Sequence, residues 1–138
     1  MAFELVVVTP EGEALSEEVE QVVLPGEAGE FGVLESHERF LTPLVLGPMR
    51  IHRGSGAEST EWAALSSGFA VVDGTRVIVL VDSCSLASGI DRDAVQARHD
   101  EARDALESLP ETEENVGERD RLSAVIARTE LELDVAAR

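Results

Sequence analysis

Gly68-Phe69-Ala70-Val71-Val72-Asp73-Gly74-Thr75-Arg76-Val77-Ile78-Val79-Leu80-Val81 is the stretch that decides the fold. Two β-rich runs flank Asp73-Gly74, a pair that turns a chain back on itself because glycine takes positive φ without steric cost. Toward the N-terminus the same punctuation recurs. Phe3–Val8 reads as a strand stopped by Thr9-Pro10-Glu11-Gly12, and Glu18–Leu24 as a second strand closed by Pro25-Gly26. Gly26 to Gly32 holds three glycines and reads as a loop or a tight, irregular hairpin. Phe40–Leu44, Met49–Arg53 and Glu61–Leu65 are further strands, with Gly54-Ser55-Gly56 between the last two. Turn signals every eight to twelve residues are the pattern of an antiparallel sandwich or barrel.

Toward the C-terminus the composition changes near residue 88. Gly and Pro nearly vanish, and Ala, Glu, Asp, Arg and Leu take over. Ser88 or Asp91 is placed to cap a helix. Ile90, Ala94, Ala97, Ala102, Ala105, Leu106 and Leu109 then form a thin apolar stripe. Pro110 to Gly117 interrupts it, with the acidic run Glu111-Thr112-Glu113-Glu114 read as a solvated loop. A second helix from about Glu118 to Ala137 carries Leu122, Val125, Ile126, Thr129, Leu133 and Ala136 at spacings of three and four. Two such helices bury too little to stand alone, so the pair is expected to dock on the sandwich or on another protein.

The chain has 138 residues, 43 % of them apolar, enough to bury a core. Its 28 acidic residues face 11 basic ones, all Arg, for a net charge of −17. That charge excludes nucleic acid and anionic lipid as natural partners. It also suits a salt-rich cytoplasm, where counterions screen self-repulsion; full structure in dilute buffer by circular dichroism would remove the main support for that habitat. Cys84, the single cysteine, excludes an intrachain disulfide and reads as a small core residue at the end of a buried strand. No apolar run is long enough to span a bilayer, and no signal peptide is expected, so membrane contact comes through partners.

No catalytic constellation is apparent. A metal site built on His37 and His52, as in a small metal-dependent β-barrel enzyme, is the rival from another class, and the absence of a close pair of His ligands argues against it. A free-standing acidic adaptor is the second rival. A chain without Lys has no phosphate loop of the Lys-Ser or Lys-Thr kind. No catalytic residue, metal or cofactor is assigned.

Val8-Thr9-Pro10-Glu11-Gly12, then Val19-Glu20-Gln21-Val22-Val23-Leu24-Pro25-Gly26-Glu27-Ala28-Gly29-Glu30-Phe31-Gly32-Val33-Leu34 and His37, resemble in order and spacing the epsilon subunit of F-type ATP synthases. Ser67–Val72 with Val77–Asp82 resembles that family's later hairpin, and Ile90-Asp91 the start of its helical part. The resemblance implies a mainly β fold with added α: an antiparallel β-sandwich over residues 1–87, then an antiparallel helical hairpin over 88–138. It implies a non-catalytic rotor subunit of the central stalk that couples rotation to ATP synthesis. Its implied partners are the gamma subunit, the c ring and the alpha/beta catalytic head, on the cytoplasmic face of the bacterial inner membrane. The loop Gly26, Glu27, Ala28, Gly29, Glu30, Phe31 and Gly32 is then expected to face the c ring. Arg98, Arg103, Arg119, Arg121 and Arg128 become the arm residues that meet acidic beta segments and inhibit ATP hydrolysis. Local pairing with Glu118, Asp120 and Glu130 is the alternative role for these arginines. Some members bind ATP through Ile/Leu-Asp-x-x-Arg-Ala; here Ile90 and Asp91 are present, Ala94 stands in the Arg slot, and Arg98 is the substitute candidate. The stretch Glu35–Phe40 departs from the family's Pro-containing turn.

Overall fold

The computed structural model describes residues 2–34, 37–54 and 59–138, with the backbone alone at 37 and 38. The expected turn at Glu35-Ser36, the side chain of His37, and Ser55-Gly56 lie outside the described residues. Among the described residues ten strands come first: β1 Phe3–Thr9, β2 Gly12–Val19, β3 Gln21–Gly26, β4 Gly29–Leu34, β5 His37–Leu44, β6 Gly47–His52, β7 Thr60–Leu65, β8 Gly68–Gly74, β9 Arg76–Val81 and β10 Cys84–Leu86. A 3₁₀ turn over Ala87–Gly89 leads into helices α1 Arg92–Ser108 and α2 Val116–Ala136.

The strands make two five-stranded layers, β4-β3-β6-β7-β10 and β5-β8-β9-β1-β2. They are joined where Gly26 at the end of β3 pairs with Leu44 at the end of β5. Alternate residues from both layers meet in one core, with Leu5, Val7, Val22, Leu24, Met49, Ile51, Leu65 and Val79 all fully buried. That face-to-face burial is what period-two strands achieve when two sheets stack.

Three local expectations are corrected. Pairing is antiparallel except between β1 and β9, which run parallel in register from Glu4↔Arg76 to Val8↔Leu80. The N-terminal strand slots beside the last long one, and strands β2 to β8 form the crossover that a parallel pair requires. The second strand read at Glu18–Leu24 is two elements: β2 ends at Val19, and Glu20 turns the chain by donating its N–H to the His52 carbonyl at 2.8 Å. The Glu-rich start of β2 was missed because an exposed edge strand need not be apolar, and charge on such an edge blunts aggregation. Cys84 does not end β9; Asp82-Ser83 separate it into β10, where it is half-buried against the core.

Burial pushes the Cys84 thiol from its ordinary 9.0 up to about 11. A raised thiol value means the folded state favours the neutral form. Its stabilising contribution is complete below pH 9 and is lost as pH rises toward 11. At pH 8 two units correspond to about 100-fold less thiolate, so iodoacetamide is expected to alkylate the native chain roughly two orders of magnitude more slowly than the denatured chain. Equal rates would show the thiol to be open.

Asp91 caps α1, its Oδ1 accepting the N–H of Ala94 at 3.2 Å. The stripe that α1 buries is shifted from the expected one. Val95 and Ala102 are buried, His99, Leu106 and Leu109 are partly covered, and Ala94, Ala97 and Ala105 face solvent. Spacings of four, three, four and three through Val95 follow the 3.6-residue period more faithfully than the alanines do. On α2, Leu122, Thr129, Glu132 and Val135 are buried. The Thr129 hydroxyl donates to the carbonyls of Val125 at 2.8 Å and Ile126 at 3.0 Å, which satisfies it inside the seam. Helix α2 also lies across β7 and β6 of the first layer. Ala64 of β7 faces away from the core yet is only 4 % exposed, because the arm covers it. Ser88 fastens the joint, its hydroxyl donating to Glu61 Oε1 at 2.7 Å.

Candidate interaction surfaces

The glycine segment is a hairpin of β3 and β4, paired from Gln21↔Leu34 to Gly26↔Gly29, with Glu27-Ala28 as its two-residue turn. Gly29 has φ +127, a conformation that favours glycine. At Gly26 a Cβ would come within 2.8 Å of the Gly29 carbonyl and of the Phe31 ring, so only hydrogen fits. Phe31 leans inward, edge to face with Phe40 at 5.9 Å. Of the seven residues expected to face a partner, Gly26 is therefore buried and Phe31 half-buried, while Glu27, Ala28, Gly29, Glu30 and Gly32 are exposed. Val45 donates its N–H to the Pro25 carbonyl at 2.9 Å, and Glu27 donates to that of Pro43 at 3.3 Å. The turn is thereby held beside Val45 and Leu46, which are exposed apolar residues.

A second surface was not anticipated. The outer face of the β5-β8-β9-β1 layer is apolar in two cross-strand rows, Pro43↔Phe69↔Leu80↔Val8 and Leu41↔Val71↔Ile78↔Val6. Leu41 is 64 % exposed, Phe69 51 % and Leu80 45 %. A shallow cavity of about 630 Å³ opens between Val8, Pro10, Pro43, Phe69 and Leu80. Ion pairs close one end of the face: Arg76 to Glu4 at 2.7 Å, and Arg39 to Asp73 at 2.8 Å. An apolar field with a charged border is the anatomy of a protein interface. The signal was present in the sequence: Leu5–Val8 and Val77–Val81 are apolar at every position, whereas a strand with one wet face alternates.

The five arginines singled out on the arm are all engaged within it. Arg121 reaches Glu118 in a two-pronged contact at 2.6 and 3.0 Å, which holds the Glu118 carboxyl below its usual range. Arg103 lies 3.6 Å from Asp100. Arg119 donates to the Leu109 carbonyl at 2.7 Å and to Glu111 at 3.2 Å, closing the C-terminal end of α1. Arg98 from α1 and Arg128 from α2 converge on the buried carboxylate of Glu132, at 3.8 and 3.3 Å. Glu132 Oε1 has no hydrogen bond, so the 3.3 Å approach is an ion pair without hydrogen-bond alignment. Of the three residues in the nucleotide reading, Ile90 is half-buried, Asp91 is engaged as the α1 cap, and Arg98 stands seven residues on, about 10 Å along the axis. The structure does not bring Asp91 and Arg98 together. His52 accepts or donates one bond through Nδ1 to the Thr60 hydroxyl at 3.1 Å. Among the described residues no helix is long and apolar enough to cross a membrane.

Residues 2–87 match the family model described as ATP synthase, Delta/Epsilon chain, beta-sandwich domain. An ATP synthase epsilon chain of Magnetococcus marinus is 40 % identical over 137 residues, covering 96 % of this chain and 98 % of the relative. One from Anaeromyxobacter sp. strain K is 37 % identical over 138 residues, covering the whole of both. Among solved structures, a chain in the cryo-EM structure of the Euglena gracilis mitochondrial ATP synthase, OSCP/F1/c-ring in rotational state 1, superposes with a TM-score of 0.73. It is 21 % identical, with 99 % of this chain and 82 % of that one covered, a likeness of fold.

Proposed function

This chain belongs to the ATP synthase epsilon-chain family, and on that premise we propose that it is the non-catalytic coupling element of the central stalk, with an arm that restrains ATP hydrolysis. The observation that carries the reading is the division of labour between the two layers. Helix α2 lies over β7 and β6 on the first layer's outer face, while the second layer's outer face is apolar, with Leu41, Phe69 and Leu80 exposed. Buried against a partner, Leu41, Phe69 and Leu80 would contribute stabilisation at roughly 25 cal/mol for each Å² removed from water. That face is assigned to the gamma subunit. The exposed Glu27-Ala28 turn with Val45 and Leu46 is assigned to the c ring, at the end where close backbone approach is easiest. The complex sits peripherally on the membrane, here on the cytoplasmic face of a bacterial inner membrane.

For the arm, parting α2 from α1 would free Arg98 from Glu132 for carboxylates of the alpha/beta head, where a guanidinium forks well, while Arg128 stays beside Glu132 on the same helix. The arm is itself acidic, 14 Asp and Glu against 7 Arg from residue 88 on, so salt is expected to strengthen its action by screening repulsion. The test adds back the full chain, or a chain ending at Ser88, to a gamma-containing catalytic head and follows ATP hydrolysis at low and high salt. Both should bind, and only the full chain should inhibit. Binding by neither would overturn the stalk assignment, and equal inhibition by both would overturn the role of the arm.

A further inference from the structure

Cross-strand neighbours Arg50 and Trp62 occupy the outer face of the first layer, under the last turn of the arm. The Arg50 guanidinium stands 5.8 Å from the Trp62 ring centre, and that of Arg138 lies over the same ring at 4.3 Å. Arg50, His52, Thr60, Trp62 and Arg138 line one cavity of about 380 Å³. In a chain with 28 acidic residues, Arg50 makes no ion pair among the described residues, and its Nε is buried without a hydrogen-bond partner. Arg138 keeps one carboxylate, Asp134 at 3.1 Å. Docking the arm therefore brings a second cation to one that has no ion pair among the described residues. Cation–π contact with an indole offsets part of this cost, yet it leaves the Arg50 Nε–H unsatisfied.

We propose that this cavity is an oxyanion site of the phosphate class, filled by a compact dianion that bridges Arg50 of the sandwich and Arg138 of the arm. Two planar guanidiniums offer forked donors, and a dianion supplies enough oxygens to accept from both. The net charge of −17 repels anions at a distance, but salt at 0.1 M screens that field beyond about 10 Å while the two adjacent cations act at contact. Because the two arginines meet only when the arm lies on β6 and β7, the anion favours the docked arm by mass action.

The full chain is titrated with inorganic phosphate, and in parallel with a phosphate monoester, at ionic strength held constant with chloride. Trp62 is the only tryptophan, so its fluorescence reports the site, and calorimetry gives the constant. Saturation by inorganic phosphate marks a free ion and saturation by the ester alone an esterified group; either supports the site. Arg50→Gln and Arg138→Gln are each expected to raise the dissociation constant about tenfold. Arg92→Gln, which removes an exposed arginine with no ion pair among the described residues, should leave it unchanged. No saturation beyond the chloride control, or equal weakening by Arg92→Gln, overturns the proposal. Arg138 lies just past the Ala137 cap of α2, and native circular dichroism of Arg138→Gln separates loss of the site from loss of fold.

Discussion

Gly68→Ala is expected to unfold the sandwich or to cost it about 3 kcal/mol or more, a fall in melting temperature of about 10 °C. Gly68 opens β8 opposite Val81 of β9 and Leu44 of β5. A Cβ there would come within 2.9 Å of both the Leu80 carbonyl carbon and the Val81 Cα. These are backbone atoms, so no side-chain rotation relieves the clash. Two paired strands would have to part at the centre of the second layer. Gly89→Ala is the control. Nothing lies within 4 Å of its Cβ position, and the change should stay within about 0.5 kcal/mol. Thermal unfolding of both variants checks the pair. A stable Gly68→Ala would show that β8 and β9 are less closely spaced than the pairing requires.

One residue further on, the expectation reverses. Phe69→Asp should leave the melting temperature nearly unchanged and weaken binding to a gamma-containing catalytic head roughly 100-fold. Phe69 points away from the core, is half exposed, and stands between Pro43 and Leu80 in the apolar rows. An aspartate there is solvated in the free chain but desolvated, unpaired, in the interface. Pull-down and calorimetry with the purified head measure the loss, and circular dichroism verifies the fold. Unchanged affinity would place the partner on another face and remove the main support for the proposed stalk contact.

The contrast between Gly68 and Phe69 shows where local pattern is informative. Asp73-Gly74 and Thr9-Pro10-Glu11-Gly12 specify turns because few residues take the backbone angles involved; Gly12 at φ +121 and Gly74 at φ +59 bear that out. The strands β8 and β9 were legible from β-branched runs between such turns, and β5 to β7 from apolar residues between glycine and proline punctuation. β2 was not, since an edge strand of Gly, Glu and Ser carries no apolar signature. The α1 stripe was misassigned to alanines because a small residue serves equally on a wet or a buried face, and only packing against α2 selects Val95 and Ala102.

By itself the sequence determined the class of the fold, strands first and then a helical pair, and membership of the family, since turn chemistry, apolar period and the glycine spacing are local properties of the chain. Tertiary structure alone decided which apolar face stays uncovered. It also decided that Arg98 and Arg128 share Glu132, and that Arg50, Trp62 and Arg138 meet. Those facts depend on a parallel pairing of β1 with β9, on the packing of α1 against α2 and on the layer over which α2 lies. Contacts between residues 76 positions apart in sequence, as Trp62 and Arg138 are, follow from how whole layers stack, and no local propensity encodes that.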